Sequence, residues 1–130
     1  MMRARFFLPE KLSIAITTCL QEAIMNAILH GNLEIKNRPN SPQEMDLYQD
    51  ELDAKLSDNY YSNKRICIRA WDGHRKIKLS VGDEGMGFSL EGVQVAANSK
   101  YGMGLRLIRE LADSIWLENE GRSLVMEFGY

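Results

Sequence analysis

A long helical pattern between residues 9 and 30 constrains the fold of this chain more than any other feature, and it runs into the sequence EAIMNAILHGN (residues 22–32). Pro9 suits the first turn of a helix, no glycine or proline interrupts the run, and Gly31 is expected to stop it. Apolar residues occur nearly all round this helix, and a helix of that kind is usually buried. The chain must therefore fold so that a second layer covers it.

Glu22 and Asn26 lie one turn apart in the middle of this apolar helix. With Thr18 they could form the solvent stripe of an ordinary amphipathic helix, but that stripe would also expose Cys19 and Leu29. If the two polar side chains are instead shielded, they need partners, because an unsatisfied buried polar group costs about 1–3 kcal/mol. A carboxylate one turn from an amide can orient a nucleophile and hold a Mg²⁺ whose other ligands are phosphate oxygens and waters.

Length and composition indicate one globular domain, residues 1–130. A formal net charge of −2 gives no general attraction to nucleic acid or anionic lipid. Cys19 and Cys67 lie in apolar runs without CxxC spacing, so we expect buried, reduced thiols. We find no secretory signal and no run of the roughly 20 apolar residues that a membrane span requires. We therefore expect a cytoplasmic protein that binds neither nucleic acid nor membrane.

The rest of the chain shows alternating strand patterns and one further helix. Residues 33–63 form a polar interval, which we interpret as an insertion that is partly helical or mobile. The predicted elements after it are a hairpin of residues 64–71 and 75–82 around residues 72–74, a glycine-punctuated loop over 84–101, a helix over 103–113, and a second hairpin of 114–118 and 122–128. This order predicts an α+β fold, a two-layer sandwich with helices on one face of a mixed, mainly antiparallel sheet.

A glycine-rich motif, VGDEGMGF (residues 81–88), follows directly after a predicted strand. It is typical of an ordinary strand-ending turn. A functional interpretation is that Asp83 accepts a hydrogen bond from an exocyclic amine, while Gly85 and Gly87 let a flat ligand approach the backbone.

A second glycine motif, KYGMGL (residues 100–105), opens the last predicted helix. Gly102 and Gly104 can expose the unpaired N–H groups of a helix N-terminus to phosphate, or can mark a flexible helix start. Neither G-x-G-x-x-G nor G-x-x-x-x-G-K-[ST] occurs in the chain. A nucleotide would therefore bind to a fold other than the Rossmann or P-loop type.

The two histidines have simpler explanations. His74 lies in a predicted turn and is expected to be solvated. His30 ends the first helix, where it can interact with the helix dipole or lie near a phosphate. The sequence contains no Ser-His-Asp order and no metal-ligand cluster of defined spacing.

Taken together and in this order, the three motifs resemble those of the GHKL (Bergerat-fold) ATPase and kinase superfamily. Glu22-x-x-x-Asn26 resembles its N box, Asp83-x-Gly85-x-Gly87 its first glycine box and Gly102-x-Gly104 its second. EAIMNAILHGN and GMGLRLIRELAD are most similar to the corresponding stretches of the bacterial anti-sigma-factor serine/threonine kinases.

The resemblance implies a role for each matched residue. Glu22 would be the base that takes a proton from the attacking hydroxyl, Asn26 a Mg²⁺ ligand, and Asp83 the partner of the adenine amine. The remaining implied nucleotide contacts are His30 and Lys100 near the phosphates, Gly85, Gly87, Gly102 and Gly104 in the nucleotide loop, and Ser123 in support of the adenine pocket.

The implied function is an ATP- and Mg²⁺-binding regulatory kinase domain. It would phosphorylate a Ser or Thr of a protein antagonist and bind a sigma factor or another transcription regulator. Two alternatives stay open at this point: the catalytic ATP-binding domain of a two-component histidine kinase, and a non-catalytic switch whose conformation depends on nucleotide.

The sequence departs from the family pattern at three places. The family's first strand and helix, which contribute to homodimer contacts, have no counterpart ahead of Pro9. Only fourteen residues separate Gly87 from Gly102, which predicts a short lid and slow turnover. The insertion at residues 33–63 has no recognised counterpart, and we interpret it as an element that docks a partner.

Overall fold

In the computed structural model, residues 9–35, 39–87 and 100–130 are described, without the side chains of residues 100–103. Helices lie against one face of a four-stranded sheet, so the predicted α+β class is confirmed. The elements in chain order are α1 (Glu10–Asn26), a π-helical segment (Ala27–Asn32), α2 (Pro42–Leu56), α3 (Asn59–Ser62), β1 (Cys67–Gly73), β2 (Lys76–Gly82), α4 (Lys100–Leu111), β3 (Ser114–Glu118) and β4 (Ser123–Gly129).

The sheet has the strand order β1-β2-β4-β3, and every neighbouring pair in it is antiparallel. Successive side chains of a strand point to opposite faces, so each central strand has one apolar face. The buried residues of the central strands are Ile77, Leu79 and Val81 in β2 and Leu124, Met126 and Phe128 in β4. This face forms the floor of the core.

Helices α1 and α4 form the layer above that floor, and they also contact each other. The core residues that the helical layer and the turn after it contribute are Ile16, Cys19, Ala23, Ala27, Leu105, Ile108 and Ala112. Ile108 is completely buried, and an isoleucine in that position contributes about 1.5–3 kcal/mol by burial alone. The helix that carries Glu22 and Asn26 is thus fixed to the sheet and to α4 by its buried side, to which Asn26 also belongs.

Both predicted hairpins are present, and their turns explain why the chain reverses there. His74 and Arg75 have positive φ angles of 55° and 61°, the conformation of a two-residue type I′ turn that matches strand twist. The turn lies slightly later than predicted, because β1 continues through Gly73. The second turn contains Asn119 and Glu120 with φ of 54° and 59°.

The first helix differs from its prediction at both ends. Pro9 is the N-cap residue (φ −53°, ψ 142°) and not part of the first turn. The α-helix ends at Asn26 and continues as a π-helix through Asn32, with the Leu33 N–H bonded to the Ile28 carbonyl at 2.9 Å. Gly31 therefore does not stop the helix. Single π-helical turns are rare and occur frequently at functional sites.

The expectation that no stretch has the length and composition of a membrane span is wrong. The continuous helix Glu10–Asn32 is long and apolar enough to meet that criterion, as a buried core helix also can. In this fold its buried residues pack against the sheet and α4.

The helical part of the insertion is confirmed. Helix α2 begins after Ser41, whose hydroxyl accepts the Glu44 N–H at 3.1 Å, and Pro42 occupies its first position. A second apolar cluster anchors the insertion to the end of the first helix: Leu29, Leu33 and Ile35, with Ile28, Tyr48, Leu52 and Tyr61 packed against them. The Lys55 Nζ also donates to the Glu34 carbonyl at 3.1 Å.

Two further expectations need correction. Cys67 is exposed and not buried, because all seven residues of β1 are exposed and only Cys19 reaches the core. Helix α4 begins at Lys100 and ends at Leu111, so the second glycine box lies within its first turns. The predicted loop over 84–101, with the lid between Gly87 and Gly102, lies largely outside the described residues.

Candidate functional site

Glu22 and Asn26 face the second glycine box across the contact between α1 and α4. A Cβ on Gly104 would come within 2.7 Å of Glu22 Oε2 and 3.4 Å of the Asn26 Nδ2. The absence of a side chain at Gly104 is therefore what lets the two helices approach here. The structure thus places the N box next to the second glycine box.

The Asn26 side chain is buried but makes no hydrogen bond within the described residues. Asn26 is 8% exposed, and neither its Oδ1 nor its Nδ2 has a partner there. Buried amides are normally hydrogen-bonded, since an unsatisfied one costs about 1–3 kcal/mol. An amide in this state at the junction between an α-helix and a π-helix suits a group that binds a ligand.

Asp83 is held between the end of the first helix and its own glycine loop. Its Oδ1 accepts the Gly85 N–H at 2.8 Å, and its backbone N–H donates to the Arg122 carbonyl at 2.9 Å. A Cβ on Gly31 would collide with the Asp83 carboxylate, and a Cβ on Gly85 would collide with the Gly31 backbone. Glycine is therefore required at both positions for this approach.

The pKa of the Asp83 carboxyl is raised above its ordinary value of 3.8. Burial of the carboxyl is the main cause, and the bond from the Gly85 N–H and the charges of Arg122 and Lys64 oppose it only in part. A half-buried carboxyl beside two glycines has the environment in which a single hydrogen-bond donor is recognised selectively.

Gly87, the last residue of the first glycine box, lies against the turn between β3 and β4, and Ser123 lies at the start of β4. Gly87 has a φ of 85°, and a Cβ on it would collide with the Glu120 carbonyl. Ser123 is the register partner of Gly82, the residue directly before Asp83. A Cβ on Gly82 would lie 2.8 Å from the Ser123 hydroxyl. Asp83, Gly85, Gly87 and Ser123 are thus brought together at one end of the sheet.

Three of the predicted residues are placed less completely. Lys100 and Gly102 lie in the first turn of α4, the part of a helix whose N–H groups can bind an anion, but side chains there are not described. The His30 Nδ1 donates to the Ile35 carbonyl, a contact with the backbone just after the helix. The predicted proximity of His30 and Lys100 to phosphate stays a prediction.

Sequence reasoning missed a hydrogen-bonded set beside Asp83. Asn32 is 4% exposed; its Oδ1 accepts the Glu84 N–H at 2.7 Å, and its Nδ2 donates to the Arg65 carbonyl at 3.2 Å. The Glu84 carboxylate accepts the Arg65 N–H at 2.8 Å. Only the position of Asn32 directly after His-Gly gave a signal in the sequence, and it named no partner.

A concavity of about 610 Å³ lies mainly on the other face of the sheet, away from α1 and α4. Its wall includes Arg69 and Trp71 of β1 and Lys78 of β2, and it continues to Asp83 and Ser123. Glu22 and Asn26 do not line it. It therefore does not reach the N box, but it shares Asp83 and Ser123 with the residues predicted for the adenine pocket.

The comparison with protein families agrees with this geometry. The family model of the histidine kinase-like ATPase domain matches residues 1–128, nearly the whole chain. The protein belongs to the histidine kinase-like ATPase domain family and is, as such, an ATP-binding regulatory domain. No curated protein matched the sequence.

The residues in place fit a nucleotide and a magnesium ion. Among the described residues no three His, Cys, Asp or Glu side chains converge, so a metal here would rely on few protein ligands. Mg²⁺ commonly binds in that way, through one or two side chains together with substrate phosphates and water. The unpartnered amide of Asn26 is suited to this role.

Proposed function

We propose that the protein is an ATP- and Mg²⁺-dependent protein kinase domain of the anti-sigma-factor type. It phosphorylates a serine or threonine of a protein antagonist and binds a transcription regulator such as a sigma factor. The observation that carries this proposal is the meeting of Glu22 and Asn26 with Gly104, with the Asn26 amide buried and unpartnered within the described residues.

Glu22 acts as the general base in this proposal. Its carboxylate takes the proton of the attacking hydroxyl, the hydroxyl oxygen bonds to the terminal phosphorus of ATP, and the bond from that phosphorus to the bridging oxygen breaks to release ADP. Asn26 would hold a Mg²⁺ ion, which would supply positive charge to the phosphates. The carboxylate lies against Gly104 of the second glycine box, next to the start of α4 where phosphate would bind.

The adenine end of the proposed site lies around Asp83. The carboxyl accepts the exocyclic amine of adenine, and Ser123 supports this pocket from the adjoining strand β4. The backbone of Gly85, Gly87, Gly102 and Gly104 borders the nucleotide, with Lys100 and His30 toward the phosphates. Adenine and phosphate are thus bound by different layers, the first by the sheet edge and the second by the helices.

The two alternatives differ in what they require. A histidine kinase needs an acceptor histidine on a dimerising helix pair, whereas in this chain His30 lies in the π-helical segment and His74 lies in a turn. A non-catalytic switch needs only nucleotide-dependent partner binding and no base. The Glu22 carboxylate beside Gly104 favours a kinase over a switch.

The partners, location and assembly are part of the same proposal. We propose a cytoplasmic protein that binds other proteins but neither nucleic acid nor membrane, and a homodimer is one of the assemblies to be tested. The insertion supports a docking role, because its helices expose large apolar side chains: Met45, Leu47, Leu56 and Tyr60. Several exposed apolar residues in one element often mark a protein contact.

The test compares phosphoryl transfer by the wild type, Glu22→Gln and the control Glu10→Gln. Glu10 is an exposed glutamate in the first turn of the same helix. We expect Glu22→Gln to bind Mg²⁺–ATP like the wild type but to lose transfer of the terminal phosphate to protein or water by roughly 100-fold or more. Unchanged transfer would contradict the base role and favour the switch.

The chemistry of the labelled product separates the two kinases. With labelled ATP and an extract of the source cells, the proposed activity gives phosphoprotein that survives acid and is lost in alkali, as phosphoserine and phosphothreonine are. A product lost in acid and kept in alkali would be phosphohistidine, and would support the histidine-kinase alternative.

A further inference from the structure

The Asn32 side chain joins three parts of the protein that are far apart in sequence. It lies at the end of the π-helical segment and is buried, with 4% of its surface exposed. Its Oδ1 accepts the Glu84 N–H at 2.7 Å, and its Nδ2 donates to the Arg65 carbonyl at 3.2 Å. Both functional groups of the amide are therefore used, and neither bond is part of a helix or a strand ladder.

The Glu84 side chain closes this set of contacts. Its Oε1 accepts the Arg65 N–H at 2.8 Å, while its own N–H is bound by Asn32. The loop residue is thus fixed through its backbone to the first helix and through its side chain to the strand segment before β1. We call Asn32, Arg65 and Glu84 the Asn32 clamp.

The clamp acts on the residue next to Asp83. The Asp83 N–H donates to the Arg122 carbonyl on the sheet side, at 2.9 Å, and the Glu84 N–H is held by Asn32 on the helix side. Two consecutive backbone N–H groups are thus bound by opposite layers of the fold. With the Asn32 bond lost, only the sheet-side bond of this pair would fix the loop, and the bond from the Gly85 N–H would no longer be enough to hold the Asp83 carboxyl in one direction relative to the helices.

The clamp also connects the two ends of the insertion, because Asn32 precedes it and Arg65 follows it. The chain enters the insertion after Asn32 and returns to the sheet at Arg65. Glu34, near the start of the insertion, pairs at 3.5 Å with Lys64, the residue directly after its end. A shift of the insertion helices would therefore be transmitted to the first glycine box through the Asn32 side chain.

We propose that Asn32 is a positioning residue that sets the adenine selectivity of the nucleotide site by orienting the loop that carries Asp83. This inference rests on the proposed function, because it takes Asp83 as the partner of the adenine amine. Asn32 itself contacts no nucleotide. Its effect is on the preference for the base, and it links that preference to the position of the insertion.

The test measures the ratio of the dissociation constants for inosine triphosphate and ATP by titration calorimetry on the full chain. Inosine carries a carbonyl where adenine carries the amine, so the ratio reports recognition by Asp83. We expect the wild type to prefer ATP and Asn32→Ala to reduce the preference by about tenfold, as for a lost hydrogen bond in a recognition site. Asn40→Ala, at an exposed asparagine, is the control and should keep it.

A merely structural role would lower the melting temperature of Asn32→Ala and leave the ratio of the two constants unchanged, and this result would overturn the inference. If Asn32→Ala does not fold, Glu84→Ala and Glu84→Gln decide. Glutamine keeps an acceptor for the Arg65 N–H and should retain the preference, whereas alanine should reduce it. An unchanged preference in Glu84→Ala would overturn the inference.

Failure of the proposed function gives a different result. A wild type that binds neither nucleotide, or binds both equally, would contradict the adenine site and this inference together. A selective wild type with an equally selective Asn32→Ala would leave the adenine site in place and remove only the role of Asn32.

Discussion

Gly104 in α4 lies directly against the carboxylate of Glu22 in α1, and a Cβ on the glycine would come within 2.7 Å of Glu22 Oε2. This approach joins the N box to the second glycine box. Because the glutamate is held by the packing of two core helices, its position depends on the size of residue 104. The relationship can therefore be tested without changing the base itself.

The first test is Gly104→Ala. Alanine favours a helix over glycine by about 1 kcal/mol, and the group it would meet is the end of a side chain, so the melting temperature should change little. The displaced Glu22 should lower ATP turnover by roughly 10- to 100-fold. Gly73→Ala is the matched control, since a Cβ there meets no atom within 4 Å. Equal turnover in both variants would contradict a precise role for Glu22.

The second test is Asp83→Asn. The change replaces an acceptor of the adenine amine by a group that must be turned to accept, and it disturbs the bond from the Gly85 N–H. We expect ATP affinity to fall by about tenfold or more, and more than in Glu22→Gln. Titration calorimetry measures both. Asp53→Asn, on the exposed side of α2, is the control, and equal affinities would remove the adenine role of Asp83.

The third test is Asn26→Ala, which removes an amide without a hydrogen-bond partner in the described structure. We expect ATP binding to become nearly independent of Mg²⁺, because the only proposed protein ligand of the metal is gone. The measurement is the ATP dissociation constant with Mg²⁺ and with chelator, beside Asn40→Ala. A Mg²⁺ dependence like that of the wild type would contradict the metal role.

The fourth test is the pH dependence of stability. Burial raises the folded-state pKa of Asp83 above 3.8, so the folded protein holds this proton over a range in which the unfolded chain has lost it. The Asp83 contribution to the free energy of unfolding is therefore fully present below pH 3.8 and is lost as the pH rises through the folded-state pKa. Chemical denaturation of the wild type against Asp83→Asn across this range should show it. A wild type whose free energy of unfolding rises relative to that of Asp83→Asn as the pH increases would contradict this prediction.

The fifth test uses the two cysteines. Cys19 is fully buried, and burial, with a smaller effect of Glu22, raises the pKa of its thiol to about 11. Cys67 is exposed on β1. A thiol reagent should therefore modify one cysteine rapidly in the native protein and the second only on unfolding, and Cys67→Ser should remove the rapid phase. Two rapid phases would contradict the buried position of Cys19.

The hydrophobic periodicity of the sequence was sufficient to predict the elements whose burial follows a regular period. Both hairpins follow from it, because alternation in β2 and β4 matches a sheet covered on one side. The first helix was expected to be buried nearly all round, but Ile14 and Met25 on it are exposed. The same alternation misled at Cys67. The cause is tertiary, since α1 and α4 cover the central strands and leave β1 exposed.

The site was predictable as far as its motifs are local. Glu22 and Asn26 are one helical turn apart, and Asp83 and Gly85 are joined by a bond within their own loop. Contacts between distant segments were not predictable in the same way. The Asn32 bond to Glu84 spans 52 residues and depends on a π-helical turn that no periodicity indicates.

The most direct test of the central claim is titration calorimetry of ATP against this chain, with and without Mg²⁺ and beside GTP. If the N box and the two glycine boxes form one nucleotide site, ATP binds with a clear dependence on Mg²⁺ and GTP binds much more weakly. Absence of ATP binding, or equal binding of GTP, would contradict the account.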